Sequence, residues 1–152
     1  MLGITDSTGM PIIDARDDFR RARRRHRLSR LGRFVGGQGT AELPVLAGAA
    51  THGAGAAVRA VIPVERIVGA VEPTPGFDRD FRPTSELMRV RWERVARAVR
   101  TGVPLPPVEV VARPDGFYLL DGRHRVSVAR AFGQTHIDAL VIGTSRRTAV
   151  AA

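Results

Sequence analysis

Between Val108 and Ile142 the hydrophobic pattern changes period several times in quick succession, and this stretch limits the possible folds more than any other. Val108-Glu109-Val110-Val111-Ala112 is β-branched and reads as a strand. Pro114-Asp115-Gly116 has the residues of a tight turn, and Phe117-Tyr118-Leu119-Leu120 returns as the second strand of a hairpin. Gly122 breaks that strand, a helix then runs from Arg123 to Phe132, and Gly133 is placed to stop it. Ile137 to Ile142 forms a last strand. A hairpin plus a further strand reached through a helix implies an α/β (α+β) class, with a small mixed sheet and flanking helices.

Upstream, Ala60-Val61-Ile62 reads as a short strand stopped by Pro63, and Val64 to Val68 as a turn of helix or a second short strand. Glu72 to Pro83 is a Pro- and Gly-containing loop with Phe77 and Phe81 as anchors. The spacing predicts a helix from Ser85 to Arg100. Met88, Trp92, Val95 and Val99 recur at four, three and four residues as its buried stripe, Thr84 or Ser85 caps it, and Gly102 ends it. Aromatic residues make up only 5% of the chain, so the core is expected to be aliphatic, with Trp92, Phe117, Tyr118 and Phe132 as its large anchors.

Four segments follow: an Arg-rich N-terminal helix over residues 1–33, a Gly/Ala-rich linker over 34–59, the domain over 60–142 and a flexible tail over 143–152. In the first, acidic residues at Asp14, Asp17 and Asp18 open a helix and arginines fill the rest, which suits the helix dipole. Its apolar stripe is thin: Phe19, Ala22, part of His26, Leu28 and Leu31. The linker's Gly36–Gly39 run lacks the preceding strand and glycine spacing of a phosphate loop and reads as flexible chain.

All 24 basic residues are arginine, the chain has no Asn, and its net charge is +9. The arginine bias fits a GC-rich genome, but the charge still favours an anionic partner, DNA or a nucleotide. Nine arginines against four aspartates in the first 33 residues supply five of the nine net charges. Arg20, Arg21, Arg23, Arg24, Arg25 and Arg27 are the candidate nucleic-acid contacts. With no cysteine, disulfides, thiolate nucleophiles and Cys-based metal sites are excluded. The four histidines show no paired ligand spacing, so no metal site is expected. No apolar run is long enough to span a membrane and the start is no signal peptide, so a cytoplasmic protein is expected.

The chemistry concentrates at Asp121-Gly122-Arg123-His124-Arg125. Three basic residues in the first turn of a helix oppose the positive end of its dipole, at ~0.3–1 kcal/mol each. A bound anion resolves the conflict, because free backbone N–H groups and guanidiniums then converge on it. The plain alternative is an exposed helix start held by nearby carboxylates.

The run Pro106-Pro107-Val108-Glu109-Val110, the hairpin, Leu119-Leu120-Asp121-Gly122-Arg123-His124-Arg125-Val126-Ser127-Val128-Ala129, and then Ile137-Asp138-Ala139 resembles the ParB/sulfiredoxin superfamily. The likeness spans about Val61 to Ile142. Phe77–Pro83 and the Arg-rich helix also look like ParB N-terminal-like domain proteins of actinobacterial type. The resemblance implies a small α/β domain whose Gly-x-x-Arg turn grips nucleotide phosphates. It gives that role to Gly122, His124 and Arg125, with Arg123 at a variable position and Arg79 and Arg82 as further ligands. CTP or ATP/ADP, with Mg²⁺, are the ligands it implies, and it admits a homodimer.

The departures narrow this. Sulfiredoxins have Gly-Cys-His-Arg, and Arg123 stands where their nucleophilic Cys would be, so sulfinate repair is not expected. Partition ParB proteins have Gly-Glu-Arg-Arg and an operator-reading domain, which is not expected here. Amino-acid kinases of the superfamily carry Asp-Gly-His-His-Arg, from which Asp121–Arg125 differs at one residue. Three functions are therefore expected in order: a DNA-associated or regulatory phosphate-binding module, a nucleotide-dependent phosphotransferase, hydrolase or nuclease-like enzyme, and a protein-interaction adaptor. For the enzyme, His124, Asp121 and Asp80 are the catalytic candidates, with Glu65 and Glu72 as further carboxylates.

Overall fold

Val108, Val110 and Val111 are all buried, on both faces of their strand, as expected of a central strand with neighbours on each side. A computed structural model describes residues 7–36, 42–46 and 56–143 of the chain. In chain order the elements are α1 (Pro11–Gly36), β1 (Ala57–Pro63), a 3₁₀ turn, β2 (Ile67–Ala70), a second 3₁₀ turn, α2 (Arg89–Arg100), β3 (Val108–Arg113), β4 (Gly116–Asp121), α3 (Arg123–Ala131) and β5 (His136–Ile142). The five strands form one mixed sheet in the order β1-β5-β3-β4-β2. β3 pairs antiparallel with β4 and parallel with β5. β1 closes one edge antiparallel to β5, and β2 the other, parallel to β4. This is the α+β class expected from the sequence.

Two cores share α3. Val126 and Ala129 join Val108, Val110, Leu119, Ile67 and Phe81 against the sheet. Val128 joins Trp92 and Ala96 of α2 and Ala15, Phe19 and Ala22 of α1. Trp92 is fully buried, meets Phe19 edge-on at 5.6 Å between centroids, and donates its indole N–H to Ser127 Oγ at 2.8 Å. The large fully buried rings are thus Trp92, Phe19 and Phe81. Phe117, Tyr118 and Phe132, expected to anchor the core, are half-buried.

Several boundaries differ from expectation for local reasons. α1 starts at Pro11, where a proline fits the first helical position, and continues through Gly36. Its buried stripe comes from Ala15, Phe19, Ala22 and His26, whereas Leu28 and Leu31 are 59% and 66% exposed. Leu28 and Leu31 lie nine and twelve residues from Phe19, on the other side of the helix, whereas His26 still falls on the buried one. The helix expected from Ser85 begins with a 3₁₀ turn (Glu86–Met88) capped by Ser85 Oγ, which accepts from Leu87 N–H. β1 begins at Ala57, inside the segment expected as linker. Residues 42–46, also in that segment, lie along β2: Ala70 N–H donates to Pro44 O and Leu46 N–H to Ala70 O, both at 2.9 Å, and Leu43 is buried. Gly37–Gly39, Gly48, Gly53, Gly55 and residues 144–152 lie outside the described residues. No helix among the described residues is long and apolar enough to cross a membrane.

Candidate functional site

The β3–β4 hairpin delivers Asp121 to the end of β4, and the chain must reverse within one residue to start α3. Gly122 does this at φ 111°, in the region glycine favours. A Cβ there would lie 2.6 Å from Val108 Cγ1 and 3.2 Å from the guanidinium carbon of Arg125, so a side chain is excluded by space as well. Val126 N–H makes the first helical bond, to Gly122 O at 3.0 Å, and no side chain caps the N–H groups of the opening turn. Those donors sit at the positive end of the helix dipole.

A cleft of about 570 Å³ opens at this turn, bounded by α2, the Glu72–Thr74 stretch, the Leu105-Pro106 segment and residues 119–125. Arg91 and Arg94 reach it from α2 and Arg123 from α3, with Glu72 and Asp121 as its carboxylates. Asp121 is 70% exposed at its side chain and pairs with Arg125 at 2.7 Å. The same guanidinium donates to the carbonyls of Pro106 at 2.6 Å and Pro107 at 2.5 Å. Arg125 therefore latches the Pro-rich segment to the start of α3 while lining the cleft.

His124 stands edge-on to Phe77 at 5.2 Å, and its Nδ1 is buried without a hydrogen-bond partner. Burial, then the charges of Arg123 and Arg91, push its pKa down to about 4. The ring is neutral near pH 7, which leaves one nitrogen able to accept a hydrogen bond.

The other expected residues lie elsewhere. Asp80 and Arg82 pair at 2.9 Å beside a separate cavity of about 230 Å³, shared with Arg25, Ser127 and Arg130. Arg79 is exposed on the same loop. That loop is fixed by buried Asp78, whose Oδ1 accepts the N–H groups of Asp80 and Arg82 at 2.9 Å while Oδ2 meets His26 Nδ1 at 2.7 Å. Glu65 is exposed on the 3₁₀ turn after β1. On α1, Arg20 pairs with Asp17, Arg21 with Asp18 and Arg23 with Glu86. Arg24 and Arg27 are exposed. Ser127, buried as the acceptor of Trp92, serves packing.

The structure thus brings Asp121, Gly122, Arg123, His124 and Arg125 into one cleft, adds Glu72, and leaves Asp80, Arg79 and Arg82 apart. Arg91 and Arg94 were missed by sequence reasoning. Their signal is a spacing of three residues on the side of α2 away from Trp92. Among the described residues, no group of three or more His, Cys, Asp or Glu is arranged to hold a metal ion. Comparison with protein-family models, with curated proteins and with solved structures finds no match to the chain.

Proposed function

We propose that the chain is a phosphate-binding module of ParB/sulfiredoxin type, DNA-associated or regulatory, that takes a phosphate group at the start of α3. One observation carries this reading: the α3 first turn, whose N–H donors no side chain caps, lines a cleft to which Arg91, Arg94 and Arg123 bring three guanidiniums. Without an anion the arrangement costs free energy, because like charges crowd the positive end of a helix. With one, the same groups become ligands. Arg125 would hold the Pro106-Pro107 wall in place and add a guanidinium edge. The phosphate belongs to a nucleotide (CTP or ATP/ADP) or to a nucleic-acid backbone, and Mg²⁺ would enter with a polyphosphate, near Glu72 and Asp121.

A thermal-shift panel of inorganic pyrophosphate, ATP, ADP and CTP, with and without Mg²⁺, tests this. At a hundredfold excess over Kd a ligand stabilises by about 2.7 kcal/mol, a rise of several degrees in Tm. Arg123→Ala and Arg91→Ala should reduce that rise. A panel with no shift in the wild-type protein rejects the site.

The second reading, a nucleotide-dependent phosphotransferase or hydrolase, is favoured by His124. A neutral imidazole with a free acceptor nitrogen, in a cleft that also holds two carboxylates, has the composition of an acid–base site. Phosphate release from ATP and CTP with and without Mg²⁺, lost in His124→Gln, distinguishes it from binding alone. An adaptor role would fall to the exposed arginines of α1, since the apolar stripe of that helix is spent on α2.

A further inference from the structure

We infer that the exposed side of the α1–α2 pair is a nucleic-acid-binding face, and that it leads the sugar-phosphate backbone of a duplex to the cleft at α3. The two helices run antiparallel: Asp18 near the start of α1 meets Arg100 at the end of α2, and Arg23, further along α1, meets Glu86 just before α2. α1 packs on α2 through Ala15, Phe19 and Ala22, and α2 packs on α3 through Trp92 and Ala96 in the same core, so the sides of both helices that carry none of these residues face away from it. On α1 that side carries Arg16, Arg20, Arg24 and Arg27, spaced by four, four and three residues and exposed, over about 16 Å at 1.5 Å per residue. On α2 it carries Arg97 and, one turn earlier, Arg94, which lines the cleft.

The carboxylates nearby are already matched. Asp17 pairs with Arg20, Glu86 with Arg23 and Arg89, and Glu93 lies 3.9 Å from Arg89. Arg16, Arg24, Arg27 and Arg97 have no ion-pair partner among the described residues, so the face keeps its excess positive charge.

The occupant follows from what else the face has. Phe19 and Trp92, the rings of the two helices among the described side chains, are buried in the core beneath, so neither offers a stacking platform for single-stranded bases. The chain has no Asn, and its Gln residues are Gln38 and Gln134, neither on α1 or α2, so adenine edges have no bidentate reader. An interfacial membrane helix presents a continuous apolar side to lipid, whereas the continuous apolar stripe of α1 is turned onto α2 and its exposed Ile12, Ile13, Leu28 and Leu31 stand apart at the two ends with arginines between them. What remains is backbone recognition by guanidiniums, which is insensitive to sequence and sensitive to salt. The inference rests on the phosphate reading of the cleft only for where the track ends.

The test compares the wild-type protein with the triple variant Arg24→Ala, Arg27→Ala, Arg97→Ala, none of which lines the cleft. Fluorescence anisotropy of a labelled duplex across a salt series gives the slope of log affinity against log salt. Each phosphate contact contributes about −0.9, so the triple variant should be flatter by up to about 2.7. Two duplexes of unrelated sequence should bind alike. The same variant should keep the wild-type thermal shift with pyrophosphate. A slope unchanged by the triple substitution overturns the face even if pyrophosphate still binds. So does binding to phosphatidylglycerol vesicles, but not to duplex, that the variant abolishes. Loss of the pyrophosphate shift in the wild-type protein, with the duplex slope still responding, rejects the cleft and leaves the face standing.

Discussion

Arg100 of α2 holds Asp18 of α1 through two hydrogen bonds, Nε at 2.6 Å and Nη2 at 2.9 Å, and both side chains are less than a tenth exposed. Asp14 lies 3.9 Å from the same guanidinium, whose carbon stands 5.5 Å from the centre of the Phe132 ring. One arginine therefore fixes α1 against α2 and covers the face of an aromatic ring just past the end of α3. Charge alone would leave α1 as a cationic cylinder in solvent. The buried pair, with Phe19 beside it, makes the helix part of the fold and holds its outer arginines in a fixed array.

Asp18→Ala should lower the free energy of unfolding by up to about 3–5 kcal/mol, since it takes away both carboxylate hydrogen bonds of a buried guanidinium and leaves only Asp14, at 3.9 Å, to balance its charge. Urea denaturation measures this. Replacing both partners, Asp18→Leu with Arg100→Met, should recover most of the loss, because a hydrophobic pair of similar volume removes the stranded charge. An Asp18→Ala midpoint equal to wild type would mean that α1 is not docked as described.

Trp92→Ala removes the largest side chain of the second core and should cost about 3–5 kcal/mol through the cavity it leaves. Trp92→Phe keeps most of the volume but leaves Ser127 without its indole donor, at about 1–3 kcal/mol. The ordering Ala below Phe below wild type in denaturant midpoint is the expected result, and equal midpoints for Phe and Ala would show that the hydrogen bond dominates over packing.

Much of this was legible in the sequence because it rests on local rules. Turn residues and a β-branched run specify the β3–β4 hairpin, a four-three-four apolar spacing specifies α2, and Asp121-Gly122 ahead of three basic residues marks the cleft. What was not legible depends on partners distant in sequence. Phe19 looks like one member of a weak stripe until Trp92 lies against it. Leu28 and Leu31, read as part of its stripe, lie nine and twelve residues on, which turns them to the opposite side of the helix and into solvent. Leu43 sits in a glycine-rich segment, and only the free edge of β2 accounts for its burial. Arg91 and Arg94 belong to the site because α2 borders α3, a relation that no spacing within either helix encodes.

Gly122→Ala tests the turn itself. The substitution forces a side chain into φ 111° and into Val108, so a loss exceeding the ~1–3 kcal/mol typical of a strained backbone position is expected. The pyrophosphate response should fall with it, because the α3 first turn must move. Gly102→Ala is the control: its φ is also positive, at 70°, yet nothing lies within 4 Å of the added Cβ. A thermal melt in which the two variants lose equal stability would deny the close packing of Gly122 on Val108.

His124 sets a pH dependence whose sign follows from its environment. Its ordinary value is 6.5, and burial together with Arg123 and Arg91 lowers it to about 4 in the folded chain. Above pH 6.5 the ring is neutral in both states and contributes nothing. Between 6.5 and 4 the unfolded chain takes up a proton that the folded chain refuses, so stability falls as pH falls through that window and levels off below it. Thermal melts of wild type and His124→Gln across pH 4 to 7 should therefore differ by a constant offset near neutral pH, with the wild type losing more stability than the variant on the acid side. A phosphate in the cleft offsets the arginine charges and favours the protonated ring. Pyrophosphate should accordingly gain affinity on acidification in the wild-type protein, and gain less in His124→Gln once its own titration is subtracted. Parallel pH profiles for the two proteins, with and without pyrophosphate, would remove His124 from the site.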